Sequence, residues 1–258
     1  RFIMTKKVLV TGMSGLIGGL LKDHLIQAGS YELSALNRSH VEGVTNFQAD
    51  ISDLEAIQPA FEGQDVVVHL AAYLGSQDWE GQHAGNVLGT YNVFEAARRA
   101  GVKRVIFASS GNAIRGFERV SPYLEISEGK YDEVPENFPM ISHEQIRPEA
   151  LYGAAKVWGE ALGRHFADDY GMSVICVRIG SVHKENKPLS VRENAIYLGH
   201  RDICQMLNLC IDASEDIKYD VVFAVSNNKW NYRDISHAKE ILGYIPKDSA
   251  DNKFFVSE

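Results

Sequence analysis

Cysteine is scarce: Cys176, Cys204 and Cys210 are the only three in the 258-residue chain, and no two form a CxxC pair. A disulfide framework and a cysteine-based zinc site are therefore not expected, and Cys176, inside an apolar run, reads as a small buried hydrophobe. No stretch approaches the ~18 consecutive apolar residues of a membrane span. The segment Arg1 to Lys7 lacks the apolar core and cleavage site of a secretory signal and is expected to run directly into a strand, so the expected compartment is cytoplasmic. An excess of basic charge is absent as well, since 26 Lys and Arg face 34 Asp and Glu for a net charge of -8. That balance predicts no counterion-release binding to nucleic acid and no attraction to an anionic membrane. HExxH, His/Cys clusters at metal-ligand spacing, GxxxxGK[ST] and GxSxG are all missing, so metal and serine-hydrolase chemistry are not expected. The partners left are small molecules.

What is present is alternation. Lys7 to Thr11 (KVLVT) is a β-branched, apolar run, followed by a glycine-rich turn and by Leu16 to Ala28, where apolar residues recur at helical spacing until Gly29. Strands near Glu32 to Leu36, Asp65 to Leu70, Arg104 to Ser109, Ser173 to Arg178 and Tyr219 to Val225 then alternate with helices. The helices are placed near Asp53 to Phe61, Asn86 to Ala100, Glu149 to Tyr170, Arg201 to Ile211 and Asp234 to Leu242. This order predicts an α/β fold, a Rossmann-type doubly wound parallel sheet with helices on both faces. A single domain over 1–258 is expected, with substrate-binding elements at about 117–149 and 181–218. The first of these, Phe117 to Glu149, carries eight acidic residues against three basic ones and reads as a long surface excursion, either a lid or a solvated insertion.

The turn Thr11-Gly12-Met13-Ser14-Gly15-Leu16-Ile17-Gly18 opens the first strand-to-helix unit. Glycines there permit a tight turn and close backbone approach to a pyrophosphate, and a helix N-terminus offers free N–H groups to the phosphates. The expected cofactor-binding set is Gly12, Ser14, Gly15, Leu16, Ile17 and Gly18 from this turn. Asn37, Arg38, Asp50, Ile51, Leu70, Ala71, Ala72, Ala108, Ser109 and Ile179, at or just beyond strand ends, complete it together with Tyr152 and Lys156. Asp50 could accept from an adenine amine or cap the following helix, and His69 reads as a packed strand residue. The second strand ends Asn37-Arg38, with no carboxylate for a ribose 2′-hydroxyl and with an arginine that could pair with a 2′-phosphate. The cofactor expected is NAD(P), with NADP slightly favoured.

Tyr152-Gly153-Ala154-Ala155-Lys156 places Tyr152 and Lys156 at i and i+4, on one helix face. A tyrosine that serves as a base needs positive charge nearby, because its ordinary pKa is near ~10. Ser109-Ser110 ends a parallel strand facing the same crevice, so Ser110 could bond a reacting hydroxyl while Tyr152 takes its proton and hydride passes to a nicotinamide.

With TGxxGxxG, HLAA, an Asn-bearing central helix, the serine pair and YxxxK in order over nearly the whole chain, the sequence resembles the extended short-chain dehydrogenase/reductase superfamily, in its NAD-dependent epimerase/dehydratase branch. Glu95 to Arg99, Gly101 to Ser110, Arg178 to Ser181 and Leu242 to Ser249 resemble the uronate dehydrogenases. Those enzymes oxidise hexuronic acids to aldaric acid lactones, and relatives oxidise sugars or sugar phosphates at C1. The resemblance implies a triad of Ser110, Tyr152 and Lys156 supported by Asn86. It also implies substrate contacts from Ser110, Gly111, Asn112, Tyr152 and Arg178, and a homodimer built on the two long central helices. It departs at Gly111-Asn112, where uronate dehydrogenases typically carry Asn-His, and in the acidic excursion, which would not draw a carboxylate. Lys184, Lys187, Arg192 and Arg201 could instead clamp an anionic group from the C-terminal side. An NAD(P)-dependent oxidoreductase acting on a sugar or sugar acid is the leading expectation. The alternatives are a nucleotide-sugar epimerase or dehydratase, and a non-catalytic NAD(P)-binding sensor.

Overall fold

The computed structural model describes residues 5–256, so residues 1–4 of the segment expected to lead into the first strand lie outside the described residues. Seven parallel strands form one sheet in the order β3-β2-β1-β4-β5-β6-β7. They are β1 Lys6–Thr11, β2 Tyr31–Asn37, β3 Thr45–Gln48, β4 Val66–His69, β5 Arg104–Ser110, β6 Ser173–Ile179 and β7 Tyr219–Ala224. The four residues of β4 are fully buried, as a strand covered on both faces requires. The β3 strand lacks the apolar run that marks the others, and its Asn46 ties the preceding turn to it by bonds with the Val41 and Val44 backbone.

Two apolar layers clamp the sheet. On one face α1 (Leu16–Ala28) contributes Leu21 and Leu25, opposite Ile203, Leu207 and Ile211 of a later helix, His200–Asp212. The other face takes Ile57 from the short α2 (Leu54–Ile57), Val93, Phe94 and Ala97 from α3 (Gly89–Arg99), and Leu162 and Phe166 from a later helix, Ala150–Tyr170. The helix expected over Asn86 to Ala100 starts earlier and differently: Gln82–Leu88 is π-helical and runs into α3. Among the described residues no helix is long and apolar enough to cross a membrane.

The stretch 117–149 has its own structure. It contains α4 (Tyr123–Glu128), and Tyr123, Ile126 and Ile141 join Ile114, Ala195, Ile196, Phe223 and Tyr232 in a third apolar cluster. Ile141 also bridges to Arg233 in parallel. The surface excursion is thus packed onto the segments near residues 195 and 232, while Glu128, Asp132, Glu133 and Glu136 point to solvent. The helices that follow are α5 (Ala150–Tyr170), α6 (Glu193–Ile196), α7 (His200–Asp212) and α8 (Ser236–Leu242).

His69, at the end of β4, is fully buried between Thr11 and Thr90, with Nδ1 2.7 Å from the Thr11 hydroxyl. Burial, reinforced by the Lys156 charge, pushes its pKa down from 6.5 to about 3. The unfolded chain therefore takes up this proton first as pH falls. The contribution is complete above pH 6.5 and is lost below it, by about 2 kcal/mol at pH 5. Urea unfolding at pH 7, 6 and 5 should show this loss, and a His69→Asn variant should show a flatter pH dependence. Parallel slopes for the two proteins would contradict it.

Candidate active site

The strand order reverses between β1 and β4, and a crevice of about 870 Å³ opens there along the carboxyl ends of the strands. Its floor follows from local sequence. Gly12 turns the chain at φ +72°, and its amide bonds to the Leu36 carbonyl. A Cβ at residue 12 would lie 2.7 Å from the Ala71 nitrogen, so only glycine lets the turn pass the end of β4. Gly18 permits the next contact, because a Cβ there would lie 2.5 Å from the Gly12 carbonyl oxygen. Gly15 precedes α1 without any side-chain cap, so the first-turn amides stay available and carry the positive end of the helix dipole.

Every residue of the expected cofactor set borders this crevice, from Gly12, Ser14, Gly15, Leu16, Ile17 and Gly18 to Asn37, Arg38, Asp50, Ile51, Leu70, Ala71, Ala72, Ala108, Ser109 and Ile179. Asn37 is buried. Its Oδ1 accepts from the Ser14 amide at 3.2 Å, and its Nδ2 has no partner among the described residues. Arg38 beside it is exposed. Asp50 accepts from the Ser52 amide and hydroxyl, and these bonds hold its carboxyl below the usual range; the cap of α2 is Asp53 instead. An uncapped helix start, a glycine turn pressed to the strand ends and an orphaned amide together fit a dinucleotide pyrophosphate with its adenosine half.

At the other end of the crevice stand Ser110, Tyr152 and Lys156. The helix α5 can approach the turn that follows β5 because residue 153 is glycine; a Cβ there would lie 2.6 Å from the Asn112 carbonyl oxygen. Lys156 is buried, donates to the Ala108 carbonyl at 2.8 Å, and its Nζ lies 5.4 Å from the centre of the Tyr152 ring. Burial pulls the Lys156 pKa down to about 8 against the pull of Glu160. Burial raises that of Tyr152, and a hydrogen bond with Ser110 opposes the rise. On balance the phenol is held above its ordinary value, with Ser110 pulling the other way and the lysine one turn along lying over the ring.

The remaining expected contacts sit elsewhere. Arg178, expected at the substrate, is 1% exposed and turned into the protein: Nε and Nη2 donate to the two Glu160 oxygens at 2.8 Å, and Nη1 donates to the Gln145 carbonyl. Ser109 donates to the same Glu160 carboxylate at 2.5 Å. Alternation along β6 puts Arg178 on the face of Val174 and Cys176, beneath α5, so its donors are spent. Asn86, expected beside the reaction, is buried in the π-helical turn, where it clasps the Tyr73 amide and carbonyl. Gly111 and Asn112 form the turn after Ser110 but do not border the crevice. Arg192 is paired with Glu118 and Arg201 with Asp248.

The segment from Tyr73 into the π-helical turn at Gly85, absent from the sequence expectation, supplies Tyr73, Leu74, Gly81, Ala84 and Gly85 to the crevice wall; no lining residue comes from 117–149. Away from the crevice, His143, Asp220 and His237 converge across the edge of β7, a grouping invisible to local spacing. The two imidazoles stack at 3.8 Å with planes 10° apart, and Asp220 holds the His237 Nε2 at 2.6 Å.

Residues 8–196 match the NAD dependent epimerase/dehydratase family. The chain is 31% identical to the NAD-dependent glucose-6-phosphate dehydrogenase of Haloferax volcanii, over 99% of this chain and 98% of that one. It is 29% identical to the uronate dehydrogenase of Pseudomonas putida, over 95% of this chain and 85% of that one. The crystal structure of uronate dehydrogenase from Agrobacterium tumefaciens superposes with a TM-score of 0.80 at 29% identity, covering 96% of this chain and 86% of that one. With the glycine turn, the switch-point crevice and these likenesses together, the chain belongs to the NAD-dependent epimerase/dehydratase family.

Proposed function

We propose that the protein is an NAD(P)-dependent dehydrogenase that oxidises a sugar or sugar acid at its anomeric carbon to a lactone. The observation that carries this reading is the grouping of Ser110, Tyr152 and Lys156 at one end of the crevice whose other end fits a dinucleotide. Ser110 bonds the sugar hydroxyl and orients it toward the phenol. Tyr152 removes its proton, and the buried Lys156 cation stabilises the resulting phenolate in a site of low polarity. A bound oxidised nicotinamide supplies the hydride acceptor. Asn86 acts at one remove, holding the Tyr73 loop along the crevice wall. Arg178 acts similarly, through Glu160 and Ser109. The exposed apolar side chains Leu88, Tyr91 and Trp158 on the central helices support a homodimer through that face.

The test is reduced-nicotinamide absorbance with either cofactor and a panel of uronic acids, aldoses, sugar phosphates and simple secondary alcohols. Steady accumulation with a sugar class supports the reading. Cofactor binding without accumulation on any of them contradicts it.

The likenesses to an NAD-dependent enzyme and to an L-arabinose 1-dehydrogenase (NAD(P)(+)) of Haloferax volcanii support use of a nicotinamide without choosing between its two forms. The exposed Arg38, next to the orphaned Asn37 amide, favours the 2′-phosphate of NADP. Arg38→Ala should lower kcat/KM for NADP about tenfold relative to NAD. An unchanged cofactor ratio would remove Arg38 from the cofactor site.

A further inference from the structure

Arg233 is the most anomalous charge in the protein. It is fully buried, and none of Nε, Nη1 and Nη2 has a hydrogen-bond partner among the described residues. A buried guanidinium without a counter-charge is costly, and proteins that keep one give it something to bind. Tyr232, whose ring lies 4.6 Å from the guanidinium carbon, offers only its face. Glu118 is the nearby carboxylate, and its pKa is held down in part by the Arg233 charge. Its oxygens are already subscribed, to Arg192 at 2.6 and 2.8 Å and to the Tyr232 hydroxyl. Arg115 approaches Glu118 too, at 3.7 Å, and meets Glu149 at 2.6 Å. Positive charge is therefore left over around Arg233.

Its position gives that charge a use. Nη2 lies 3.1 Å and Nε 3.6 Å from where a Cβ on residue 111 would sit, so the missing side chain of Gly111 is the space the guanidinium packs against. Gly111 directly follows Ser110, which borders the reaction end of the crevice. Arg233 thus places an uncompensated cation beside the residue that follows Ser110, while Glu128, Asp132, Glu133 and Glu136 of the acidic stretch point to solvent.

We propose that Arg233 selects an anionic sugar, its guanidinium binding the carboxylate or phosphate that the sugar carries away from its reacting carbon. This rests on the sugar dehydrogenase reading above and goes beyond it by naming the residue and the substrate class. Wild type, Arg233→Met and Arg233→Lys are compared on glucose, glucuronate and glucose 6-phosphate with either cofactor. Wild type should prefer an anionic member over glucose, and whichever of the two is preferred separates carboxylate from phosphate. Arg233→Met should cut the anionic-to-neutral ratio of kcat/KM by about ten- to a hundredfold. Arg233→Lys, which keeps the charge but not the fork, should fall between. Equal loss on neutral and anionic sugars would assign Arg233 a structural role and overturn the proposal, as would a wild-type preference for glucose.

Thermal stabilisation by the same three sugars needs no turnover. Should no sugar be oxidised, the dehydrogenase reading fails, and the proposal still stands or falls on whether anionic sugars stabilise wild type and not the variants. Met at 233 removes a buried unpaired charge, so the free variant is expected to fold at least as stably as wild type.

Discussion

Tyr152→Phe lowers kcat/KM for sugar oxidation by about 10²- to 10⁴-fold, the usual share of a positioned acid-base group, and leaves cofactor affinity close to wild type. The substitution removes one oxygen. The ring stays at the start of α5, and the glycine turn and first-turn amides of α1 are untouched. In the proposed mechanism, what is lost is the group that takes the hydroxyl proton beside a buried cation: Ser110 is an alcohol without a base, and Lys156 donates to the Ala108 carbonyl. Steady-state kinetics and a fluorescence titration of reduced cofactor separate the two effects. Activity within a few-fold of wild type would remove Tyr152 from the chemistry.

Arg178→Met costs about 3–5 kcal/mol of folding stability, because it leaves the buried Glu160 carboxylate with only the Ser109 side chain to bond it. For a chain of this size that lowers Tm by about 6–20 °C. The pair lies 1% and 6% exposed, so solvent offers no relief. Glu160→Leu added to Arg178→Met removes the stranded charge and should recover much of the loss, a coupling that a double-mutant cycle measures directly. A single variant that loses less than about 1 kcal/mol would mean that Glu160 finds another counter-charge, Lys156 being the nearest candidate.

The parts of the molecule legible in the sequence are those whose signals are local. The apolar runs of β1, β4, β5 and β6, the glycine turn at 12 to 18 and the i, i+4 spacing of Tyr152 and Lys156 each announce themselves within a few residues. The bounds of Leu16–Ala28 are legible because apolar periodicity starts after Gly15 and a left-handed Gly29 ends it. β3 was obscured because its pairing depends on Asn46 bonding the turn before it, not on an apolar pattern. The π-helical Gln82–Leu88 has no sequence period of its own, so the sequence pattern starts the helix only at Asn86.

At the site, the differences between sequence and structure concern arginines. The resemblance to uronate dehydrogenases implies Arg178 at the substrate, whereas counting by two from Cys176 puts it on the covered face. Arg192 reads as a loop cation in sequence because Glu118, 74 residues earlier, is its partner only once the chain folds. Arg233 carried no signal at all. Its meaning depends on Gly111, Glu118 and Tyr232 arriving together, and on Ile141 pairing beside it.

The central claim is that hydride leaves the anomeric carbon of a sugar, passes to a nicotinamide and stays there. Sugars deuterated at C1 test it directly, with each cofactor in excess and both pools followed by mass spectrometry. The account predicts deuterated reduced cofactor accumulating in step with lactone. Deuterium that ends in an epimerised or dehydrated sugar, with no net reduced cofactor, would contradict it.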